Sequence, residues 1–105
     1  MIERIVLIKL NDENATDNGR RKVVTHAQRV LPLIPGVTSA SAGVAADEAS
    51  LESWDVMLKI CFARIEDVPA YIVDVDHQAF VQEFLGPRAE VKKVWNFELD
   101  DELPG

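Results

Sequence analysis

Two side chains in this sequence have the types and spacing for acid–base chemistry: Tyr71, the only tyrosine, and His77, one of two histidines. A neutral imidazole takes up a proton near pH 7, and a phenolic O–H polarises a carbonyl oxygen. Together they suit enolisation or an intramolecular aldol step. On one continuous helix, six residues would set the pair about 120° apart in projection and about 9 Å apart along the axis. Asp74 changes that expectation. Asp is a favoured N-cap, so Glu66–Leu85 reads as two short helices meeting at Asp74 or Asp76, with Tyr71 before the junction and His77 after it. A structural reading stays open beside the catalytic one. A buried tyrosine needs a hydrogen-bond partner, and a histidine at a helix junction supplies one or ties down a backbone carbonyl.

The other reactive residue types point to structure. Cys61 is the sole cysteine and sits in the apolar run Leu58–Phe62, so it reads as a buried, inert thiol. His26 lies at the edge of an apolar helical stripe with no acid beside it, and reads as a partly exposed helix residue. Asp74, Asp76 and His77 superficially resemble a metal cluster, but capping explains the carboxylates and no second cluster follows, so no metal is expected. The chain holds no Gly-rich phosphate loop and no Ser-His-Asp set in a recognisable context. Arg88 and Glu90 read as surface charges, and Trp54 and Trp95 as strand residues that pack.

Bulk properties narrow the partners. A chain of 105 residues makes one domain, small enough to gain stability from a second copy. Its net charge of −7 argues against nucleic acid and anionic membranes. Acidic residues cluster near the start, at Asp12-Glu13, and in the tail Asp100-Asp101-Glu102, where solvation accounts for them. One cysteine allows no intrachain disulfide, in keeping with a reducing compartment. The apolar stretch after Met1 is too short for a signal peptide, and no run approaches the roughly 18 residues of a membrane span. A soluble, cytoplasmic protein is expected.

The elements that must position Tyr71 and His77 follow from periodicity. Ile2 to Leu10 is a strand with Ile2, Val6, Ile8 and Leu10 on one face, and Ile5 and Leu7 on the other. Both faces are apolar, so something must cover each. Thr16 or Asp17 caps a helix in which Val23, Ala27, Val30, Leu31 and Ile34 recur at helical spacing; Pro32 predicts a kink or early stop, and Pro35-Gly36 terminates it. Val37 to Ala46 is a weakly specified strand of small residues. Asp47 to Ser53 is a polar turn, and Trp54 to Ala63 is a clear strand. Trp54, Val56, Leu58, Ile60 and Phe62 share one face; Asp55, Met57, Lys59 and Cys61 share the other. Pro69 suits a first helical turn, Gly86-Pro87 ends the helix bearing Phe80, Val81, Phe84 and Leu85, and Val91 to Leu99 is the last strand. The order β-α-β-β-α-β predicts an α+β, ferredoxin-like fold with an antiparallel sheet.

With these elements placed, the chain resembles the stress-responsive A/B barrel (Dabb) domain family over nearly its whole length. The matching residues are Ile5-Val6-Leu7-Ile8-Lys9-Leu10, Ile34-Pro35-Gly36-Val37, Tyr71-Ile72-Val73, His77-Gln78-Ala79-Phe80 and Trp95-Asn96-Phe97-Glu98. The resemblance implies ferredoxin-like monomers whose sheets face each other in a homodimeric α/β barrel, which would cover the second apolar face. In a polyketide-cyclising branch of the family, a catalytic Tyr and His match Tyr71 and His77. Ligand-facing positions of that branch fall on Val24, Ala27 and Val56, where aromatics and a histidine are replaced by aliphatic side chains. The resemblance thus implies a small apolar carbonyl ligand and cofactor-free acid–base chemistry. Two alternatives stand beside it: a non-enzymatic, stress-related oligomer, and a cofactor-free monooxygenase by analogy of fold.

Overall fold

The computed structural model describes residues 1–100; of the acidic tail, Asp101 and Glu102 lie outside the described residues. Four strands, β1 (Ile2–Leu10), β2 (Val37–Val44), β3 (Val56–Phe62) and β4 (Ala89–Glu98), form one antiparallel sheet in the order β2-β3-β1-β4. Helix α1 (Asp17–Val30) joins β1 to β2, and a single turn, α2 (Glu48–Leu51), lies between β2 and β3. The β3–β4 connection carries α3 (Val68–Val73) and α4 (Val75–Ala79), and α4 continues as a π-helical segment, Phe80–Leu85. This is the ferredoxin-like α+β arrangement that the periodicity predicts.

Strand β1 is central and fixes the two faces. Its residues Ile2, Val6, Ile8 and Leu10 are buried beneath the helices. Each such aliphatic side chain contributes about 1.5–3 kcal/mol when fully buried. Register places Val6 between Leu58 of β3 and Val94 of β4, and Arg4 between Ile60 and Asn96. Helix α1 adds Val23 and Ala27 to the same core. Thr16 caps it, its hydroxyl accepting from the Gly19 N–H at 2.9 Å. Pro32 stops the helix rather than kinking it: α1 ends at Val30 and a 3-10 turn covers Leu31–Leu33. The chain then reverses at Gly36, whose φ of +93° is open to glycine and strained for other residues.

Two charged residues stand where alternation misplaces them. Asp55 precedes β3, outside its pleat, and is 1% exposed rather than on the outer face. One carboxylate oxygen accepts from the Leu10 N–H at 2.7 Å, the other from Arg20 Nε at 2.9 Å. The Asp55 N–H donates to the Ile8 carbonyl at 2.8 Å. A buried carboxylate persists only when its charge and lone pairs are satisfied, and here it ties β1 to α1 and β3. Arg88, expected as a surface charge, lies over the Phe84 ring at 4.2 Å while its Nη1 donates to the Phe84 carbonyl at 2.8 Å. Phe84 stacks on its other side against His26, 4.0 Å between ring centres. This His26–Phe84–Arg88 stack pins the π segment to α1.

Among the described residues, the opposite sheet face is met only at one end by the single turn α2, whose Ser50 borders Leu7 and Met57 and whose Leu51 carbonyl accepts from Lys9 Nζ at 3.2 Å. Register sets Ile5 beside Trp95 and Glu3 beside Phe97, with Met57 on the neighbouring strand. Trp95 and Phe97 are 48% and 52% exposed, unusual for aromatics in so small a protein. Among the described residues, no helix is long and apolar enough to cross a membrane, and no group of His, Cys, Asp and Glu side chains could hold a metal ion.

Candidate functional site

The site is built around the break between α3 and α4. Asp74 leaves helical geometry at ψ 139° and caps α4, one carboxylate oxygen accepting from the Asp76 and His77 N–H groups at 2.8 and 3.2 Å. The chain therefore turns at Asp74, and His77 folds back on α3. Its ring centre comes to 4.2 Å from that of Tyr71, the planes tilted by 44°. Tyr71 packs edge-on against Phe62 at 5.0 Å, which holds the phenol against β3. The junction is tied further by the Ile72 carbonyl, which accepts from Gln78 Nε2 at 2.7 Å and meets His77 Nδ1 at 3.0 Å.

That last contact sets the imidazole's tautomer. A carbonyl only accepts, so Nδ1 carries the proton and Nε2 keeps a free lone pair. Burial pushes the His77 pKa below 6.5, helped by the Arg4 and Lys92 charges and opposed by the Ile72 hydrogen bond and Asp74. Burial likewise pushes the Tyr71 phenol up to about 12, against the pull of Arg4. At neutral pH the pair is thus a neutral imidazole that accepts and a neutral phenol that donates. Among the described residues, neither the Tyr71 hydroxyl nor His77 Nε2 has a hydrogen-bond partner.

Both side chains line a cavity of about 210 Å³ between the sheet and the α3–α4 unit. Its floor is Val6, Leu58, Ile60 and Val94 from three strands. Its far wall is Phe80, Val81 and Leu85 from the π segment. The π geometry produces that wall. The Gly86 N–H donates five residues back, to Val81 at 2.9 Å, so Leu85 falls beneath Phe80 and Val81 while Phe84 turns toward His26. Gly86 is required there, because a Cβ would lie 2.7 Å from the Gln82 carbonyl oxygen.

Two cavity residues escaped the sequence reading. Arg4 of β1 and Lys92 of β4 both line it, with the Arg4 guanidinium 6.0 Å from the Tyr71 ring centre. Arg4 shares the face of Ile2 and Val6, and Lys92 that of Val94, so alternation places each on the helix side. Only the β1–β4 register brings them to one cavity. The three positions implied as ligand-facing stand elsewhere. Ala27 is buried in the core and Val24 packs against it, while Val56 borders a separate depression with Leu7 and Met57.

The sequence model of the stress responsive A/B barrel domain matches residues 2–99. The chain belongs to this family. Solved structures agree on the fold of the A/B barrel domain. A Dabb family protein with a ferredoxin-like fold from Mesorhizobium loti is 19% identical, with a TM-score of 0.77 over 93% of this chain and 95% of that one. A dimeric ferredoxin-like protein from Thermobifida fusca is 21% identical, with a TM-score of 0.76 over 93% and 90%. The hydroxynitrile lyase from Passiflora edulis is 13% identical, with a TM-score of 0.76 over 98% and 96%. No curated protein sequence matches the chain.

Proposed function

We propose that this A/B barrel domain binds a small carbonyl compound in the cavity beside Tyr71 and His77 and catalyses a cofactor-free acid–base reaction on it, of enolisation or aldol type. The observation that carries the reading is the Nδ1 contact with Ile72. It leaves Nε2 free to act as a base on a ring that lines the cavity and whose neighbour is a proton-donating phenol. In this reaction the Tyr71 O–H stabilises the developing oxyanion while His77 Nε2 takes the proton from the adjacent carbon. The mostly aliphatic lining favours an apolar body on the ligand and keeps competing water low. The Passiflora edulis neighbour bears the name of a hydroxynitrile lyase, so an enzyme that acts on a small molecule has a precedent on this fold. The test is deuterium exchange at the α-carbon of small ketones, followed by NMR. Wild-type protein accelerates exchange, and Tyr71→Phe and His77→Ala each lose the acceleration with their thermal transitions retained. Exchange unaffected by either variant sinks the reading, as does unfolding of both.

The same proposal places the domain in the cytoplasm as a homodimer joined through the open sheet face. The dimeric state of similar folds and the exposed Trp95 and Phe97 support that assembly. The assembly also favours a second reading, a non-enzymatic protein whose useful property is a stable oligomer. That reading predicts no small-molecule exchange by wild-type protein.

A further inference from the structure

The cavity that holds Tyr71 and His77 also holds charge of one sign. Arg4 enters it from the central strand and Lys92 from the edge strand, on either side of the Val6–Val94 pair. Arg4 is part-buried, and its Nη1 donates to a neutral group, the Asn96 side-chain amide oxygen Oδ1, at 3.0 Å. Among the described residues, no carboxylate lies within ion-pair distance of either cation. The four ion pairs seen between described residues engage Arg20 twice, Lys59 and Arg64. The two cations also feel one another, since each loses water at the cavity and Arg4 lowers the Lys92 pKa further. A protein of net charge −7 has carboxylates to spare, yet it leaves two like charges facing one apolar cavity. Arg4 is part-buried and Lys92 keeps contact with solvent, so each is only partly stripped of water. Two like charges at one cavity still repel, and a bound anion would relieve that repulsion.

We infer that the ligand carries a carboxylate, held between Arg4 and Lys92, with its carbonyl carbon turned toward Tyr71 and His77: a small oxo acid with an apolar body. The guanidinium offers a planar fork that matches a carboxylate, and the ammonium offers a point charge at the mouth. A phosphate dianion fits less well, because most of the remaining lining is apolar and returns little for its hydration. The inference rests on the reading of this cavity as the ligand site and specifies which ligand class it takes.

Hexanoate and hexan-2-one separate the two claims, since one carries only the acid and the other only the carbonyl. Binding is followed by NMR titration of cavity amides. Hexanoate is expected to bind about tenfold tighter than hexan-2-one or more, and Arg4→Met and Lys92→Met each to weaken it by about tenfold to a hundredfold, the range for a hydrogen bond to a charged group. Both variants are expected to lose more for hexanoate than for hexan-2-one, and Arg4→Lys to recover part of the loss. Lys92 lies on an exposed edge strand, so its variant folds even where Arg4→Met does not. Ketone binding equal to or tighter than hexanoate, or charge variants without effect, overturns the carboxylate and leaves the carbonyl reading standing. Inorganic phosphate that displaces hexanoate at equal concentration also overturns it. No shift with either probe overturns both.

Discussion

His77 donates through Nδ1 to the carbonyl of Ile72, 3.0 Å away and five residues earlier, across the break at Asp74. A ring held this way keeps Nε2 deprotonated, and burial strengthens that preference.

The pH dependence of stability follows with a definite sign. The folded-state pKa of His77 lies below its unfolded value of 6.5, and that of His26 is also lowered, by burial and by Arg29 and Arg88. Above pH 6.5 both states hold these histidines neutral and nothing is lost. Below it the unfolded chain gains protons that the folded chain refuses, so stability falls until the folded pKa is passed. Urea midpoints should therefore drop between pH 7 and pH 5, and His77→Gln should shrink the drop. The exchange activity should persist somewhat below pH 6.5 before its acid limb begins.

Asp74 caps α4 and aims His77, so Asp74→Ala should act on both stability and chemistry. Loss of an N-cap costs about 1 kcal/mol. Chemical denaturation would register that modest change, while exchange activity should fall by about tenfold or more as His77 loses its fixed direction. Activity unchanged in a destabilised protein would assign Asp74 to capping alone.

Asp55 is a matter of folding. Asp55→Ala removes the acceptor for Leu10 and the buried partner of Arg20 Nε, a side chain that is only 14% exposed and keeps Asp17 and the Ala15 carbonyl. Breaking such a pair on one side costs about 3 kcal/mol. Equilibrium urea unfolding measures it, and a loss under 1 kcal/mol would show that Arg20 relaxes onto Asp17, its other ion-pair partner.

The open sheet face makes a prediction about mass. Trp95→Asp with Phe97→Asp places two charges where the proposed dimer buries two aromatics. Sedimentation should report a dimer for wild-type protein and a monomer for the double variant. A wild-type monomer would remove the assembly from the proposal.

How much of this was legible in the sequence depends on whether the cause was local. A cap at Asp74 or Asp76 and a kink or stop at Pro32 are local chemistry legible in the sequence, and the structure selects Asp74 and the stop. The apolar alternation in β1 and β3 gave the faces, and through them the layered fold. Asp55 was misplaced because the strand begins at Val56, two residues after the expected start at Trp54, and the pleat does not extend to it. Arg88 looked like a surface charge because nothing in sequence marks the ring it covers. Arg4 and Lys92 lie 88 positions apart by number, and the register that aligns β1 with β4 is a tertiary fact. Val24, Ala27 and Val56 came from the resemblance alone, and none of the three is among the residues that line the cavity.

The π segment carries a consequence for insertions and deletions. Its looser winding accommodates more chain per turn than an α-helix does. A substitution there alters one contact, whereas loss of one residue between Phe80 and Leu85 would let the segment rewind as α-helix. Leu85 would then rotate away from the cavity wall, and the His26–Phe84–Arg88 stack would lose its register. Sequence length between Ala79 and Gly86 is therefore as much a determinant of the cavity's shape as the side chains that line it.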